Sequence, residues 1–386
     1  MSALVDSEGA LRDLVERARG HEAVALDTEF VWEKTYYPGL GLVQVGLGGD
    51  DVHLVDAAAL DLAPLAALLE DPDVEKVLHD AAQDLQILAR ASGARPVTVF
   101  DTQRAAGLVG QTATASLQDL VEWGAGVRLE KGETRTDWLR RPLSDKQVRY
   151  AEDDVRYLLD VRDKLWDEAE ARGRDDWVEA EMDRYESPAL YEEADPDAAV
   201  DRVKVRGLGR LSGRQRAVLR AVAAWREREA RQLDRTRWMV LPDDVLARVA
   251  ERAPASDDDL AKLKLTDRQV RRFGPGLLAA VAEGQAAEPE HAERRGRPGP
   301  DDHRRAARLL VAQALVYGRC EREGVDSVLV ATKSELAEIV EAGPGAVAEA
   351  FPGWRYDFVG GDLEKLLRGD LAVKLDGPDG WPVAAG

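Results

Sequence analysis

The sequence predicts an α/β domain followed by two all-helical domains, and three observations lead to this expectation. The chain has 386 residues, which exceeds one ordinary core, since domains commonly contain ~100–200 residues. Apolar strand-like runs alternate with helical patterns in the first part, whereas the later parts show helical periodicity almost throughout. Two linker-like stretches separate the three parts.

The domain boundaries follow from these two stretches. The first contains Pro188 and Pro196 and five acidic residues between positions 186 and 200, without a lysine or arginine. The second is rich in glycine and proline. The predicted organisation is a first domain at 1–186, an acidic linker at 187–205, a helical domain at 206–286, a Gly/Pro-rich linker at 287–302 and a second helical domain at 303–386.

The elements of the first domain are read from its hydrophobic periodicity. Strands are expected at 23–26, at 41–47 and 51–56 with hairpin spacing, at 74–79 and at 97–101, and helices at about 57–70 and through Asp84. A last long helix is expected to start near Ser144 and to run toward Ala171. Ser144 and Gln147 have the spacing of a capping box, in which both side chains satisfy free amide groups at a helix start.

The charge of the chain argues against the usual nucleic-acid-binding protein. Its formal net charge is −20, whereas nucleic acid is normally held by lysine and arginine side chains that release counterions. The distribution is uneven, however. Between Asp201 and Trp238 there are twelve lysines and arginines and four acids, a local excess of +8. A nucleic-acid-binding function is therefore compatible with the composition.

The single cysteine, Cys320, excludes an intrachain disulfide and a cysteine-based structural zinc site. The N-terminus has no basic start followed by an apolar run, and no stretch is long and apolar enough to span a membrane. We expect a cytoplasmic protein without a membrane partner.

Asp27 and Glu29 lie two positions apart at the end of an apolar run. The period of a strand sends both side chains to the same face. Two adjacent carboxylates repel one another and are costly to bury unless a cation neutralises them. This pattern indicates a cation site, although a solvated strand end at a turn is the plain alternative.

Tyr150 and Asp154 lie four positions apart on the predicted helix that starts near Ser144, so they share one helical face. Asp84 lies on another predicted helix. Each pattern alone is weak, because an acidic exposed helix face is common. The order and spacing of all five residues in one α/β domain carry the functional interpretation.

Three segments extend this pattern: LDTEFVWEKTYYPGLGLVQVG at 26–46, KVLHDAAQDLQIL at 76–88 and KGETRTDWLRRPLSDKQVRYAEDDVRYLLDV at 131–161. They resemble the three exonuclease motifs of the DEDD superfamily, and the first domain as a whole resembles the ribonuclease D family. This resemblance implies a ribonuclease H-like domain with a mixed sheet flanked by helices. It implies Asp27, Glu29, Asp84 and Asp154 as metal ligands and Tyr150 as the fifth catalytic residue. The tyrosine subclass is implied because Arg149 occupies the position of the histidine in the other subclass.

The resemblance implies a 3′→5′ exoribonuclease that releases nucleoside 5′-monophosphates from a free RNA 3′ end. Carboxylates are hard oxygen ligands, which favours two Mg²⁺ or Mn²⁺ ions over zinc. With a reference pKa of about 10, Tyr150 is a poor general base, so we expect it to orient the attacking water. His79 precedes Asp84 and is expected to be a packed or site-lining histidine. The family suggests precursors of transfer RNA and other small structured RNAs as substrates, without an obligate protein partner.

Three aromatic residues are candidates for substrate binding. Phe30, Tyr37 and Trp138 lie beside the motifs and are expected either to stack on terminal bases or to belong to the core.

The segment at 211–251 resembles the HRDC domain shared by RecQ-type helicases and ribonuclease D. Its helical pattern predicts a buried side with Val218, Val222 and Trp225, and Arg216, Arg220 and Arg231 on the opposite side. That face is expected either to contact phosphates or to be a solubilising surface. The third part resembles the second HRDC-like domain of the same family.

Three other functions are considered for this sequence: a DNA exonuclease, an inactive scaffold and a helicase. A 3′→5′ DNA exonuclease uses the same carboxylates. No residue of this sequence can be recognised as a contact to the 2′-hydroxyl, the group that distinguishes RNA from DNA. A catalytically inactive nucleic-acid-binding scaffold is disfavoured because all five motif residues are present. A helicase is excluded because the chain has no G-x-x-x-x-G-K-[ST] phosphate loop.

Overall fold

The computed structural model describes residues 4–129, 132, 136–290, 299–378 and 380–385. Contacts divide the chain into two compact units. Unit 1 contains the described residues of Met1–Phe30, Leu40–Tyr191 and Arg297–Gly386. Unit 2 contains Val31–Gly39 and the described residues of Glu192–Gly296. Part of the predicted Gly/Pro-rich linker, residues 291–298, lies outside the described residues.

A mixed sheet forms the centre of unit 1, as the resemblance implied; it has six strands, of which the first along the chain was not predicted. Its strands are β1 (Leu4–Val5), β2 (Ala23–Val31), β3 (Gly39–Gly46), β4 (Val52–Val55), β5 (Glu75–Leu78) and β6 (Val99–Asp101). Their order is β1-β4-β3-β2-β5-β6. Strands β3 and β4 pair antiparallel, which confirms the predicted hairpin, whereas β2–β5, β5–β6 and β1–β4 pair parallel.

Nine α-helices accompany this sheet among the described residues up to Tyr191. They are α1 (Glu8–Ala18), α2 (Ala66–Leu69), α3 (Ala82–Ser92), α4 (Thr102–Leu108), α5 (Leu117–Gly124), α6 (Asp145–Arg156), α7 (Leu158–Ala171), α8 (Asp175–Met182) and α9 (Pro188–Tyr191). Their apolar sides are buried in the core, for example Leu11 and Leu14 of α1 and Leu85 and Leu88 of α3. The sheet and these helices form the α/β part that the alternating pattern predicts.

Two helix predictions need correction. The expected helix at about 57–70 is wrong in extent: only a 3₁₀ turn at Ala63–Leu65 and α2 are helical there. Pro64 lies in that 3₁₀ turn, and a proline is tolerated only near a helix start because it lacks the amide hydrogen. The expected helix from Ser144 toward Ala171 is divided into α6 and α7 at Tyr157, whose φ of −109° and ψ of 0° interrupt the helical backbone.

The capping box that starts α6 is confirmed. The Ser144 hydroxyl accepts the Gln147 amide hydrogen, and the Gln147 side chain accepts the Ser144 amide hydrogen at 3.0 Å. Helix α6 then packs closely on the sheet at Gly46 of β3. A Cβ atom at Gly46 would lie 3.0 Å from the carbonyl oxygen of Val155, so the small residue permits the helix to approach the strand. This packing positions α6 against the sheet.

Unit 2 is helical and is built on α10 (Gly213–Gln232). It also contains α11 (Arg237–Val240), α12 (Asp243–Arg252), α13 (Asp257–Ala261) and α14 (Asp267–Ala286). Val218, Val222 and Trp225 are buried in its core, as the periodicity predicts. The stretch predicted as an acidic linker contains α9 and a 3₁₀ helix at Pro196–Arg202, and Ala199 of that 3₁₀ helix belongs to the same core.

The last described part of unit 1 contains α15 (Pro300–Glu323), α16 (Ser327–Val330), α17 (Lys333–Ala342), α18 (Val347–Ala350), a short π-helical turn at Tyr356–Gly360 and α19 (Gly361–Arg368). The expectation of helices alone is wrong at its end. Strands β7 (Ala372–Leu375) and β8 (Pro382–Ala385) pair antiparallel there. Gly377 and Pro378 lie between the two strands and are typical of turns. An interpretation based on helical periodicity alone does not take such turn residues into account.

This C-terminal part packs directly on the α/β part within unit 1. Arg174 is buried and donates hydrogen bonds to the carbonyl oxygens of Leu108 at 2.6 Å and Glu323 at 2.7 Å. The rings of Trp177 and Trp354 stack with their centroids 4.8 Å apart. The two parts therefore share a packed interface. Among all described helices, none combines the length and apolar character needed to cross a membrane.

Candidate metal centre

Three carboxylates converge beside β2, one of the inner strands of the sheet. Oxygen atoms of Asp27 and Glu29 on β2 and of Asp154 on α6 all lie within 4.8 Å of one another. The two strand residues share a face, as their spacing predicts, and the helix supplies the third carboxylate. A group of this kind has the oxygen ligands and the spacing that a divalent cation requires.

Asp84, on α3, lies near this group. Its side chain accepts a hydrogen bond from the Thr28 hydroxyl, which belongs to β2 between Asp27 and Glu29. Both Thr28 and Asp84 are buried. The bond ties the helix of the second motif to the strand of the first. The charge of Asp84 acts on Asp27 and Glu29, but its oxygen atoms are not among those that lie within 4.8 Å of one another.

Burial and mutual repulsion disfavour the charged forms of these acids. Burial, followed by the charges of Asp154 and Asp84, raises the pKa of Glu29 to about 9. Burial raises the pKa of Asp84 to about 7 and that of Asp154 to about 7, and raises the pKa of Asp27 well above its usual range. Four ionised carboxylates in this space need a compensating positive charge, so the donor set fits divalent cations.

Tyr150 lies one helical turn before Asp154 and hydrogen-bonds to its carboxylate. Burial and the nearby acids raise the pKa of the Tyr150 hydroxyl, so it is a hydrogen-bond donor at neutral pH and not a base. The residue is held from two sides. Its ring lies 6.1 Å from the ring of Trp138, and a Cβ atom at Gly132 would collide with it.

Gln44 is a functional candidate that sequence reasoning missed. It lies on β3 and is fully buried, and its side-chain amide donates a hydrogen bond to Oδ2 of Asp27 at 3.1 Å. The available signal was a polar residue in the middle of an apolar strand, within the first motif segment. Gln44 holds the Asp27 carboxylate in one orientation.

Asp101, at the end of β6, is a second residue that was missed. It is buried and accepts the amide hydrogens of Asp80 and Ala81, each at 3.1 Å, as well as a hydrogen bond from the Tyr185 hydroxyl. These bonds fix the turn that begins α3, where Asp80 has a positive φ of 57°. Asp101 thereby positions the helix that carries Asp84.

His79 is not one of the converging residues. Its Nδ1 atom lies 3.0 Å from the Thr102 hydroxyl, and burial lowers its pKa. The expectation of a packed histidine agrees with this position.

The aromatic candidates differ in their surroundings. Of the two alternatives for Trp138, base stacking or a place in the core, the structure favours the core, because its side chain is only 2% exposed and lies beside Tyr150. Phe30 is half-buried. Tyr37 is half-buried in unit 2, and its hydroxyl donates a hydrogen bond to Glu193. Base stacking by Phe30 and Tyr37 stays a prediction.

The three arginines of the predicted basic face all make contacts within unit 2. Arg216 donates to the carbonyl oxygens of Leu211 and Gly209, each at 3.3 Å. Arg220 is paired with Glu290, and Arg231 lies among Tyr36, Glu193 and Glu227. The side chain of Arg231 is only 13% exposed, against 45% for Arg220. Phosphate binding by these arginines stays a prediction, and these contacts compete with it.

Comparison with known proteins gives two family matches. A 3′–5′ exonuclease family matches residues 3–170, and the HRDC domain family matches residues 215–281. The first match covers all five predicted site residues.

Curated relatives match over nearly the full chain. Ribonuclease D of Gluconacetobacter diazotrophicus is 37% identical over 383 residues, which cover 97% of this chain and 95% of the relative. Ribonuclease D of Desulfotalea psychrophila is 34% identical over 363 residues, covering 92% and 96%.

A solved structure supports the same relationship. The crystal structure of Escherichia coli RNase D, described as an exoribonuclease involved in structured RNA processing, matches with a TM-score of 0.81 at 30% identity. The match covers 96% of this chain and 99% of the E. coli chain. An α/β exonuclease part, an HRDC domain and full-length relatives of over 30% identity lead to one conclusion: the chain belongs to the ribonuclease D family of 3′–5′ exoribonucleases.

Proposed function

We propose that this chain hydrolyses RNA one nucleotide at a time from the 3′ end, at a centre formed by Asp27, Glu29, Asp84 and Asp154. The convergence of the carboxylates of Asp27, Glu29 and Asp154 within 4.8 Å, with Asp84 tied to the same strand, is the observation that carries this proposal. Family membership gives the reaction class, and the geometry supports these residues as the ones that perform it.

The four carboxylates would hold two Mg²⁺ or Mn²⁺ ions. When bound, such a pair of ions supplies a water nucleophile of lowered pKa and neutralises the charge that develops on the leaving 3′-oxygen. Oxygen donors alone favour these hard cations over zinc. Thr28 and Gln44 keep Asp84 and Asp27 in place through their hydrogen bonds, so the ligands are oriented before the ions arrive.

Tyr150 would orient the attacking water. Its hydroxyl retains its proton at neutral pH, because burial and the neighbouring acids raise its pKa. The Tyr150 hydroxyl donates to Asp154, and its oxygen can accept a hydrogen bond from a water in line with the scissile phosphate, which places the reacting atoms for displacement.

The physiological substrates proposed are structured RNAs with a free 3′ end, including precursors of transfer RNA, in the cytoplasm. The description of the E. coli relative as a structured-RNA-processing enzyme supports this choice. The division into an exonuclease domain at 1–186 and helical domains at 206–286 and 303–386 belongs to the same proposal. No obligate protein partner is proposed.

Digestion of matched RNA and DNA oligonucleotides labelled at either end tests the proposal. With Mg²⁺, a 3′ label is expected in mononucleotides from the first turnover, whereas a 5′ label moves gradually to shorter products. RNA is expected to be degraded faster than DNA. Equal rates would favour the DNA exonuclease, and no release from either substrate would favour the inactive scaffold.

A further inference from the structure

One carboxylate, that of Asp101, holds the start of the helix that carries Asp84. Helix α3 begins after Ala81, whose methyl side chain cannot accept a hydrogen bond, although amide groups at a helix start need acceptors. Asp101 supplies them from the end of β6: its Oδ1 accepts the amide hydrogen of Asp80, and its Oδ2 that of Ala81. Asp84 follows within the first turn of α3. Its position therefore depends on the orientation of the Asp101 carboxylate.

Helix α8 and the 3₁₀ turn that follows it hold Asp101 in this orientation. Tyr185, in the turn at Asp183–Glu186, is buried and donates its hydroxyl hydrogen to Oδ2 of Asp101. Burial and the charge of Asp101 raise the pKa of this hydroxyl, so it keeps its proton. Met182, at the end of α8, accepts the Asp101 amide hydrogen at its sulfur atom at 3.1 Å. A buried network of this kind favours one arrangement of its members.

Helix α8 also contacts the C-terminal part of unit 1. Trp177 of α8 stacks on the ring of Trp354, as described above. Glu181 of α8 is only 4% exposed and is paired with Arg355 of the C-terminal part at 3.4 Å. The same carboxylate is paired with Arg104 of α4. The C-terminal part therefore holds the helix that holds Asp101.

The length of α8 makes these contacts important. It has eight residues, and isolated helices shorter than ~12–15 residues are marginal in water. Its position must therefore come from packing, to which Trp354 and Arg355 contribute. Close-packed interiors transmit displacements because they contain few voids to absorb them. A shift of α8 is accordingly expected to reach Asp101 and the start of α3.

We propose that the C-terminal part is a positioning element for the metal ligand Asp84, and that α8 connects the two through Tyr185 and Asp101. The inference rests on the proposed function, because it takes Asp84 as a ligand of a bound cation. Tyr185 and Arg355 are positioning residues, since each acts through Asp101. The coupling is reciprocal, so a cation bound at Asp84 should stabilise the contacts of the C-terminal part.

Tyr185→Phe tests the connection, because it removes one hydroxyl group and keeps the ring. Its Mg²⁺ affinity, measured by titration calorimetry, is expected to fall ~10-fold, the lower end of the usual loss when a group that orients a metal ligand is removed. Arg355→Gln breaks the ion pair with Glu181 and is expected to lower Mg²⁺ affinity ~3-fold, the scale of a partly exposed ion pair. At saturating Mg²⁺, kcat and KM for a short RNA should stay near wild-type values in both variants, because all four carboxylates remain.

Hydrogen exchange measures the same coupling in the opposite direction. Mg²⁺ is expected to slow amide exchange in α8 and in the π-helical turn at Tyr356–Gly360 of the wild type, and this effect should be lost in Tyr185→Phe. Tyr356→Phe is the control, because it removes a hydroxyl group that bonds to Glu364 within the C-terminal part. Its Mg²⁺ affinity should equal that of the wild type.

Urea unfolding of each variant establishes that it is folded under the conditions of the titration. Unchanged Mg²⁺ affinity in folded Tyr185→Phe or Arg355→Gln would overturn the inference, as would an equal loss of affinity in Tyr356→Phe. A wild type that binds no Mg²⁺, or whose Mg²⁺ binding persists in Asp27→Asn, would instead refute the proposed function.

Discussion

The side-chain amide of Gln44 donates a hydrogen bond to Oδ2 of Asp27 at 3.1 Å across neighbouring strands of the sheet. Gln44 itself is inaccessible to solvent and is not a candidate ligand, because its neutral amide faces the carboxylate as a donor. The bond restricts Asp27 to one orientation before any cation binds. The orientation of a metal ligand therefore depends on the neighbouring strand β3, which carries Gln44, as well as on the acids themselves.

Gln44→Leu is expected to weaken Mg²⁺ binding by about 10–100-fold, the usual effect of removing a residue that orients a metal ligand. Activity should recover largely at saturating Mg²⁺, because all four carboxylates remain. Titration calorimetry with Mg²⁺ and activity at graded Mg²⁺ concentrations measure this. Gln83→Leu, at an exposed position of α3, is the control. An unchanged Mg²⁺ affinity would show that Asp27 is oriented without Gln44.

Gly132→Ala is expected to lower kcat by about 100-fold, the scale of misplacing a catalytic group by about 1 Å. The new methyl group would collide with the Tyr150 ring and displace its hydroxyl. Mg²⁺ affinity should change little, since no carboxylate is touched. Gly9→Ala is the control, because no atom lies within 4 Å of the added carbon there. Normal kcat in Gly132→Ala would argue against a role for the Tyr150 position.

Without metal, the protein is expected to lose thermal stability as pH rises from about 4 toward 9. Folding raises the pKa of Asp154 to about 7 and of Glu29 to about 9, so the folded state resists deprotonation. The penalty begins above the unfolded values of about 4 and is complete above the folded ones. Asp154→Asn should therefore have the higher melting temperature in EDTA at neutral pH.

Mg²⁺ should reverse this order by binding only the folded state, stabilising the wild type more than Asp154→Asn. Thermal melts of both proteins in EDTA and in Mg²⁺, between pH 5 and 9, measure both effects. Equal metal-induced shifts would mean that Asp154 does not belong to the metal site. The same variant should lack metal-dependent 3′ trimming.

Glu227→Gln is expected to destabilise unit 2 by about 3 kcal/mol, the scale of breaking a buried ion pair from one side. Glu227 is fully buried and accepts hydrogen bonds from Tyr36, Arg231 and Arg237. Arg237 and Tyr36 are the main groups that lower its pKa, to about 2, against the cost of burial. Urea unfolding measures the loss, with Glu229→Gln on the same helix as the control.

The pH dependence of that loss provides a second check. A lowered pKa means that the carboxylate stabilises the fold above its unfolded value of about 4.3, and that this stability disappears as pH falls toward 2. The difference between wild type and Glu227→Gln should accordingly shrink below pH 4. A constant difference at all pH values would show that the variant acts through packing alone.

Local patterns predicted which side chains share a face of one strand or helix. The period of two placed Asp27 and Glu29 on one face, and helical spacing placed Tyr150 beside Asp154. The capping box at Ser144 was visible because it depends on residues three positions apart. The break at Tyr157 was not visible, because the hydrophobic pattern continues from α6 into α7.

Features that depend on distant partners could not be predicted. For Trp138 the sequence left base stacking and core packing open, and the fold buries its ring beside Tyr150. The face of Arg220 and Arg231 looked free, yet its ion-pair partners include Glu290 and Glu193, far away along the chain. The sequence pattern shows which arginines share a helical face. Only the fold brings the acids that form ion pairs with them to that face.

The most direct test of the metal centre is to locate Mn²⁺ by its anomalous scattering in crystals soaked with Mn²⁺ and a nucleoside 5′-monophosphate. We predict two Mn²⁺ ions about 3.5–4 Å apart, held by the carboxylates of Asp27, Glu29, Asp84 and Asp154, and their loss in Asp27→Asn. Mn²⁺ bound only elsewhere, or unchanged in Asp27→Asn, would contradict the account.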